Sequence, residues 1–123
     1  MHIKKLNRSI ELLKEFLGDS LIICDVWITN SSHSIAGYNN QTSIATNFDK
    51  STEAIKNSLN DSGFPILGKY YFIDCEEDTL LIIMNFGKYQ WGIMLKKSLV
   101  QMSMLINLIL PSVSKEFNDA MNK

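Results

Sequence analysis

The sequence predicts an α+β domain with elements in the order αββαβββα, and three features of the chain carry that prediction. An apolar ladder at alternating spacings of three and four opens it, apolar runs separated by short polar turns fill its middle in two groups, and a long amphipathic run closes it. Strands joined by tight turns must be antiparallel, so the runs assemble into a sheet with helices against its faces.

Ile3, Leu6, Ile10, Leu13 and Leu17 line one face of the first helix, with Lys4, Arg8, Glu11, Lys14 and Glu15 turned to solvent. Gly18 stops it and Asp19-Ser20 turn the chain. Leu21 to Thr29 reads as a strand, Asn30-Ser31-Ser32-His33 as a polar turn, and Ser34 to Tyr38 as the returning strand. Residues Asn39 to Asp49 read as polar and irregular. Ser51 or Asp49 then caps a short helix over Thr52 to Asn60, whose apolar content is thin and which Gly63 and Pro65 end. Three strands follow: Lys69 to Cys75, Thr79 to Phe86 and Tyr89 to Leu95. The unbroken run Leu80 to Met84 implies a strand covered on both faces. A terminal helix from about Ser98 carries Leu99, Met102, Leu105, Ile106, Ile109, Val113 and Phe117 on one side, and Pro111 should kink it.

Composition narrows the function. With 123 residues, the chain has room for one domain and enough length to bury a core without metals or disulfides. Charged residues make up 20% of it, the net charge is −1, and no basic stripe is present, which argues against nucleic acid as a partner. Arg8 is its one arginine, so recognition that needs a guanidinium fork has little to draw on. The N-terminus lacks the apolar core of a signal peptide, and Leu99 to Leu110 is too short and too interrupted to span a bilayer. No membrane association and a cytoplasmic location are the expectation.

Candidate chemistry is sparse. Gly18, Gly37, Gly63, Gly68, Gly87 and Gly92 form no phosphate-cradling loop, and Cys24 and Cys75 lie in apolar runs without metal spacing. His33 among Ser31, Ser32 and Ser34 is as well explained by a polar turn as by a base beside a nucleophile. The cluster Asp74, Glu76, Glu77 and Asp78 lacks the alternation and glycine of a calcium loop and reads as a solvated hairpin tip. Asp25, an acid inside an apolar strand, is expected at an edge or in a hydrogen bond. No catalytic, cofactor or metal residues are assigned, and the chain reads as something other than an enzyme.

Gly68-Lys69-Tyr70-Tyr71-Phe72-Ile73, the acidic turn, Leu80-Leu81-Ile82-Ile83-Met84-Asn85-Phe86, and Trp91-Gly92-Ile93-Met94-Leu95 leading into a long helix together resemble the Roadblock (dynein light chain) family. The opening helix and the hairpin over Leu21 to Tyr38 fit the same plan, so the resemblance covers nearly the whole chain through element order and apolar pattern. It implies a single Roadblock/profilin-like domain over residues 1–123, a five-stranded antiparallel sheet sandwiched by helices, with the terminal helices on one face and the middle helix on the other. It implies a homodimer in which the third strand and the middle helix meet their symmetry mates, placing Ile55, Leu59, Tyr70, Tyr71, Phe72 and Ile73 at the interface. It also implies a signalling scaffold for a small Ras-like GTPase, contacted through Glu53, Lys56, Asn57 and Asn60, with or without stimulation of GTP hydrolysis. The physics of an unpaired aromatic strand points the same way, because such an edge invites a second strand. The rival reading is a small-molecule sensor of the PAS or GAF kind, which needs a cavity of roughly several hundred Å³ between sheet and helix.

Overall fold

A computed structural model describes residues 3–31, 33–39 and 42–122, with side chains from Ile44 onward in the last segment. Ser32, part of the predicted first turn, and Asn40 and Gln41, in the segment read as irregular, lie outside the described residues. The elements are α1 (Ile3–Leu17), β1 (Leu21–Ile28), β2 (His33–Tyr38), α2 (Thr42–Asp61), β3 (Tyr70–Cys75), β4 (Thr79–Asn85) and β5 (Tyr89–Lys96). A helical stretch then closes the chain: α3 (Met102–Met104), a π-helical segment Leu105–Ile109, and α4 (Leu110–Met121).

The five strands form one sheet in the order β2-β1-β5-β4-β3, with every neighbour antiparallel. The fold is therefore the predicted α+β sheet with helices on its faces. β2 and β3 are its two edges. Residues of one parity, Cys24, Val26, Leu80, Ile82, Met84, Trp91, Ile93 and Leu95, point to the face where α1 and α4 pack. There they meet Leu6, Ile10, Leu13 and Leu17 of α1 and Val113, Phe117 and Ala120 of α4 in the larger core. Ile3, expected on the same buried stripe, is exposed. The opposite parity supplies a smaller core, in which Trp27 and Ile83 meet Ala45 and Phe48 of α2. The central run Leu80 to Met84 is thus covered from both sides, as its unbroken hydrophobicity requires.

Two elements differ from the sequence reading. The middle helix begins at Thr42, a decade of residues before Thr52, so Asp49 and Ser51 are interior positions and cap nothing. Residues Asn39 to Asp49 look irregular because Asn, Thr, Ser and Asp dominate them, yet Ile44, Ala45 and Phe48 form the stripe that seats the helix. No glycine or proline interrupts it before Gly63. The helix ends as predicted. Gly63, at φ 70°, donates to the Asn60 carbonyl at 3.2 Å and Phe64 to the Leu59 carbonyl at 3.0 Å, a Schellman closure that requires a left-handed residue.

The terminal helix is the second difference. Leu99, Met102 and Ile106, expected on its buried side, are exposed, while Leu105, Ile109, Leu110, Val113 and Phe117 are buried. The cause is the π segment: Leu110 N–H bonds the Leu105 carbonyl, five residues back, so one extra residue enters the turn and shifts the buried stripe. Pro111 follows at once, in the first turn of α4, its fixed φ compatible with the helical backbone there.

Candidate functional site

The features singled out from the sequence converge on the α2 side of the sheet and its β3 edge. What fixes α2 there is a ring stack. Phe48 lies parallel to Trp27, with centroids 5.8 Å apart and planes 5° from coincidence. Trp27 is fully buried and donates its indole N–H to Gln90 Oε1 at 3.1 Å. The Phe48 ring reaches the sheet over Gly92, where a Cβ would stand 2.4 Å from its Cδ2. Any larger residue at 92 would force the Phe48 ring to shift.

Polar contacts complete the seat. Asp49 is buried, and its Oδ1 accepts from the Asn30 backbone N–H at 3.3 Å, tying α2 to the β1–β2 turn where Asn30 is left-handed. Thr52, also buried, lies 2.5 Å from the Tyr71 hydroxyl and donates to the Phe48 carbonyl at 2.9 Å. Since Thr52 gives its proton to that carbonyl, Tyr71 donates to Thr52. Burial pushes the Tyr71 hydroxyl above its ordinary pKa; the Thr52 bond opposes this and the Asp49 charge adds to it.

At 100° per residue, α2 divides its remaining surface into two flanks. Ile44, Ser51, Ile55 and Leu59 lie on one. Its first turns border an apolar groove of about 210 Å³ that includes Ile44, Phe48, Ser51, Leu81 and Met94. Ile55 and Leu59 are half-buried farther along. The other flank is polar. Glu53 and Asn57 line a shallow depression of about 500 Å³ with Asn30, Asp49 and Lys50, and Lys56 and Asn60 line one of about 300 Å³ with Ile66, Leu67 and Asn85. Glu53 and Lys56 form an ion pair at 3.9 Å. The loop after α2 exposes Phe64 and, most of all, Ile66, which is 81% exposed. The sequence reading gave these two no role; an apolar pair around Pro65 just past a helix stop was the available signal.

The four β3 side chains named from sequence separate. Tyr71 and Ile73 point to the α2 side. Tyr70 points to the other, packs on the larger core and places its hydroxyl 3.2 Å from Ser114 Oγ on α4. Phe72 shares that side and is 37% exposed. Both tyrosines are thus anchored by contacts within the chain, and Phe72 is the side chain left at the edge.

The other candidates resolve into structural roles. Asp25 is buried and accepts from Ser34 Oγ at 2.6 Å across the β1–β2 pair. Burial pushes the Cys24 thiol far up, with the Asp25 charge adding to it. Of the hairpin acids, Asp74 pairs with Lys97, and Asp78 accepts from the Ser98 backbone N–H at 2.9 Å and from its hydroxyl. Arg8 pairs with Glu15 at 3.2 Å along α1, on the sheet face opposite α2. Among the described residues no three His, Cys, Asp or Glu side chains are placed to hold a metal ion, and no helix is long and apolar enough to cross a membrane.

This order of strands, with two terminal helical elements on one face and a central helix on the other, is the fold of a Roadblock/LC7 domain. Solved structures bear it out. MglB of Myxococcus xanthus superposes with a TM-score of 0.79 over 97% of this chain and 89% of its own, at 14% identity. The gliding protein mglB of Thermus thermophilus gives 0.70 over 94% and 90%, at 13% identity. A Roadblock/LC7 domain from Streptomyces avermitilis gives 0.67 over 94% and 97%, at 8% identity. No protein-family model and no curated protein sequence matches the chain.

Proposed function

We propose that this chain is a non-catalytic homodimeric scaffold that binds a small Ras-like GTPase and modulates its GTP hydrolysis. The observation that carries the reading is the adjacency of an unpaired strand edge, β3, to a helix with one apolar and one polar flank. In this reading the β3 backbone and the side chains of Phe72 and Ile73 join two protomers. Ile55 and Leu59 close the seam above the sheet, and Tyr70 and Tyr71 hold the strand in place from within. The paired α2 helices then offer Glu53, Lys56, Asn57 and Asn60 to the GTPase, a polar surface of the kind transient interfaces use around a few apolar anchors. The resemblance to Roadblock domains supports this use of the fold. Arg8 lies on the opposite face, so any effect on hydrolysis works by arranging the GTPase's own groups rather than by an inserted guanidinium.

The sensor alternative calls for an enclosed cavity with inward polar groups. The depressions beside α2 are open to solvent, and the layer beneath the helix is filled by Trp27, Phe48 and Ile83. The scaffold is the better account of such a site.

The test is calorimetric titration against small GTPases of the same genome in both nucleotide states. The double variant Glu53→Lys/Lys56→Glu keeps the local ion pair while inverting the charge pattern a partner meets. It should weaken binding roughly tenfold, the loss of a charged contact worth about 1.4 kcal/mol, and leave the far-UV spectrum unchanged. Arg8→Ala should leave any stimulation of hydrolysis intact. Failure of every GTPase to bind in either state would end the GTPase reading.

A further inference from the structure

On the sheet face opposite α2, the end of α1 and the start of the terminal helical stretch leave an apolar groove open. It holds about 160 Å³ and is lined by Phe16, Leu99, Val100 and Met104, with the buried Leu17 and Ile109 beneath. Phe16, Leu99, Met104 and Leu108 are 36–58% exposed. Met104 and Leu108, four residues apart, share one flank of the helical stretch, the flank that Phe16 borders. From Ser98 to Ser114 the chain carries no charged residue. Apolar side chains scattered singly over a surface need no explanation, but a contiguous set around a groove marks a place that something covers.

The rim of this groove is acidic. The β3–β4 hairpin tip is fastened beside it: Lys97 N–H donates to the Asp78 carbonyl at 2.9 Å, and Ser98 N–H to the Asp78 carboxylate at 2.9 Å, one residue before Leu99. That brings the exposed Glu76, Glu77 and Asp78 to one side. The turn Gly18–Ser20 lies against Lys97–Leu99 and brings the exposed Asp19. Asp74 is a fifth carboxylate, and the two lysines among them are already engaged: Lys97 is bound by Asp74, and Lys96 stands near Asp78.

Candidate covers differ in what they would meet there. A second copy would bring its own acidic rim against this one, and a bilayer containing anionic lipids repels the same carboxylates. An extended segment finds no ladder to join, because β1 and β5, which begin and end at this groove, are each paired on both sides. A helix satisfies its own backbone and can lay an apolar stripe between the helical walls, where Met104 adapts to the anchors it meets. Basic residues flanking that stripe would face the rim. We infer that this groove docks an amphipathic helix of a partner protein, with aliphatic anchors on one stripe and lysines or arginines along its flanks. It is a second interaction surface, on the face opposite α2, and it stands independently of the GTPase reading.

The probe is a designed, fluorescein-labelled helix of about 18 residues, five turns, with leucines at i, i+3, i+4 and i+7 and lysines beside them. A second peptide keeps the leucines and carries glutamate in place of each lysine. Fluorescence anisotropy against the full-length chain should show the lysine peptide bound roughly tenfold more tightly than the glutamate peptide, by a margin that shrinks as salt rises. Met104→Ser and Phe16→Ser should each weaken the lysine peptide by roughly tenfold, as loss of a central anchor does. Glu76→Lys/Glu77→Lys should weaken the lysine peptide and strengthen the glutamate one. Both of these acids are exposed, so the charge variant tests the rim even if a groove variant loses its fold. Equal affinity for the two peptides, including none for either, would overturn the proposal, as would binding that the charge variant leaves untouched. Co-sedimentation of the chain with vesicles containing phosphatidylserine, or self-association that Met104→Ser abolishes, would overturn it too, by identifying a membrane or a second copy as the cover.

Discussion

Replacing Gly92 with alanine tests the seat of α2 directly. The new Cβ would lie 2.4 Å from Phe48 Cδ2, 2.7 Å from its Cε2 and 3.0 Å from Trp27 Cη2. Carbon atoms rest about 3.5–4.0 Å apart, so the ring must retreat by about 1 Å or more. It cannot simply turn aside, because its face is stacked on Trp27, which Gln90 holds in turn. The backbone offers no reason for a loss: within a strand, alanine is favoured over glycine by about 0.5–1 kcal/mol. A net destabilisation therefore measures the collision, and overpacking of this kind costs about 1–3 kcal/mol. With urea m-values of about 1–3 kcal/mol/M, a loss of about 2 kcal/mol moves the unfolding midpoint down by about 1 M, read by tryptophan fluorescence and far-UV circular dichroism together. Phe48→Leu provides the control, since it withdraws the ring atoms that the Cβ strikes. In that background Gly92→Ala should be milder by about 1 kcal/mol or more, a coupling expected only of residues in contact. An unchanged midpoint for Gly92→Ala, or strict additivity with Phe48→Leu, would refute the ring-in-slot account.

Three further outcomes follow from the same geometry. Tyr71→Phe removes the hydroxyl that donates to Thr52 and should cost about 0.5–1.5 kcal/mol in urea melts; combining it with Thr52→Val should add less than the sum of the two. Asp78 has its carboxyl pKa held below the ordinary 3.8, first by the Ser98 hydroxyl and then by the Ser98 N–H and the nearby lysines, against a smaller opposing effect of desolvation. Its contribution to stability is present above that value and is lost as pH falls through the lower folded one. Asp78→Asn should therefore be less stable than the wild type at neutral pH, by a gap that closes as pH drops below about 4. A gap that is the same at pH 3 and pH 7 would exclude the assigned bond. Phe72→Pro removes an outward N–H and should give a folded monomer where the unaltered chain shows about twice 14.0 kDa by light scattering, whereas Ile73→Pro breaks a β4 bond and should lower stability itself.

Sequence by itself determined the element order, the antiparallel pairing, the two-sided burial of Leu80 to Met84 and the C-terminal stop of α2 at Gly63. Each depends on local periodicity or on backbone chemistry that a single residue type supplies. The position of β3 was available through resemblance, and the topology places it at an edge, as the resemblance requires. What lay beyond sequence depends on partners distant along the chain. The first ten residues of α2 look irregular until Phe48 is set against Trp27 and Gly92, residues twenty-one and forty-four positions away. Pro111 signalled a disturbance in the last helix, and periodicity placed Leu105 and Ile109 inward, but only packing selects a π segment that leaves Met102 and Ile106 outside. Nor could the run Tyr70 to Ile73 reveal which backbone groups are free, since a strand looks the same read from either edge. One bond, from Asn85 to Lys69, decides it: it commits the odd positions to β4 and leaves Phe72 facing outward.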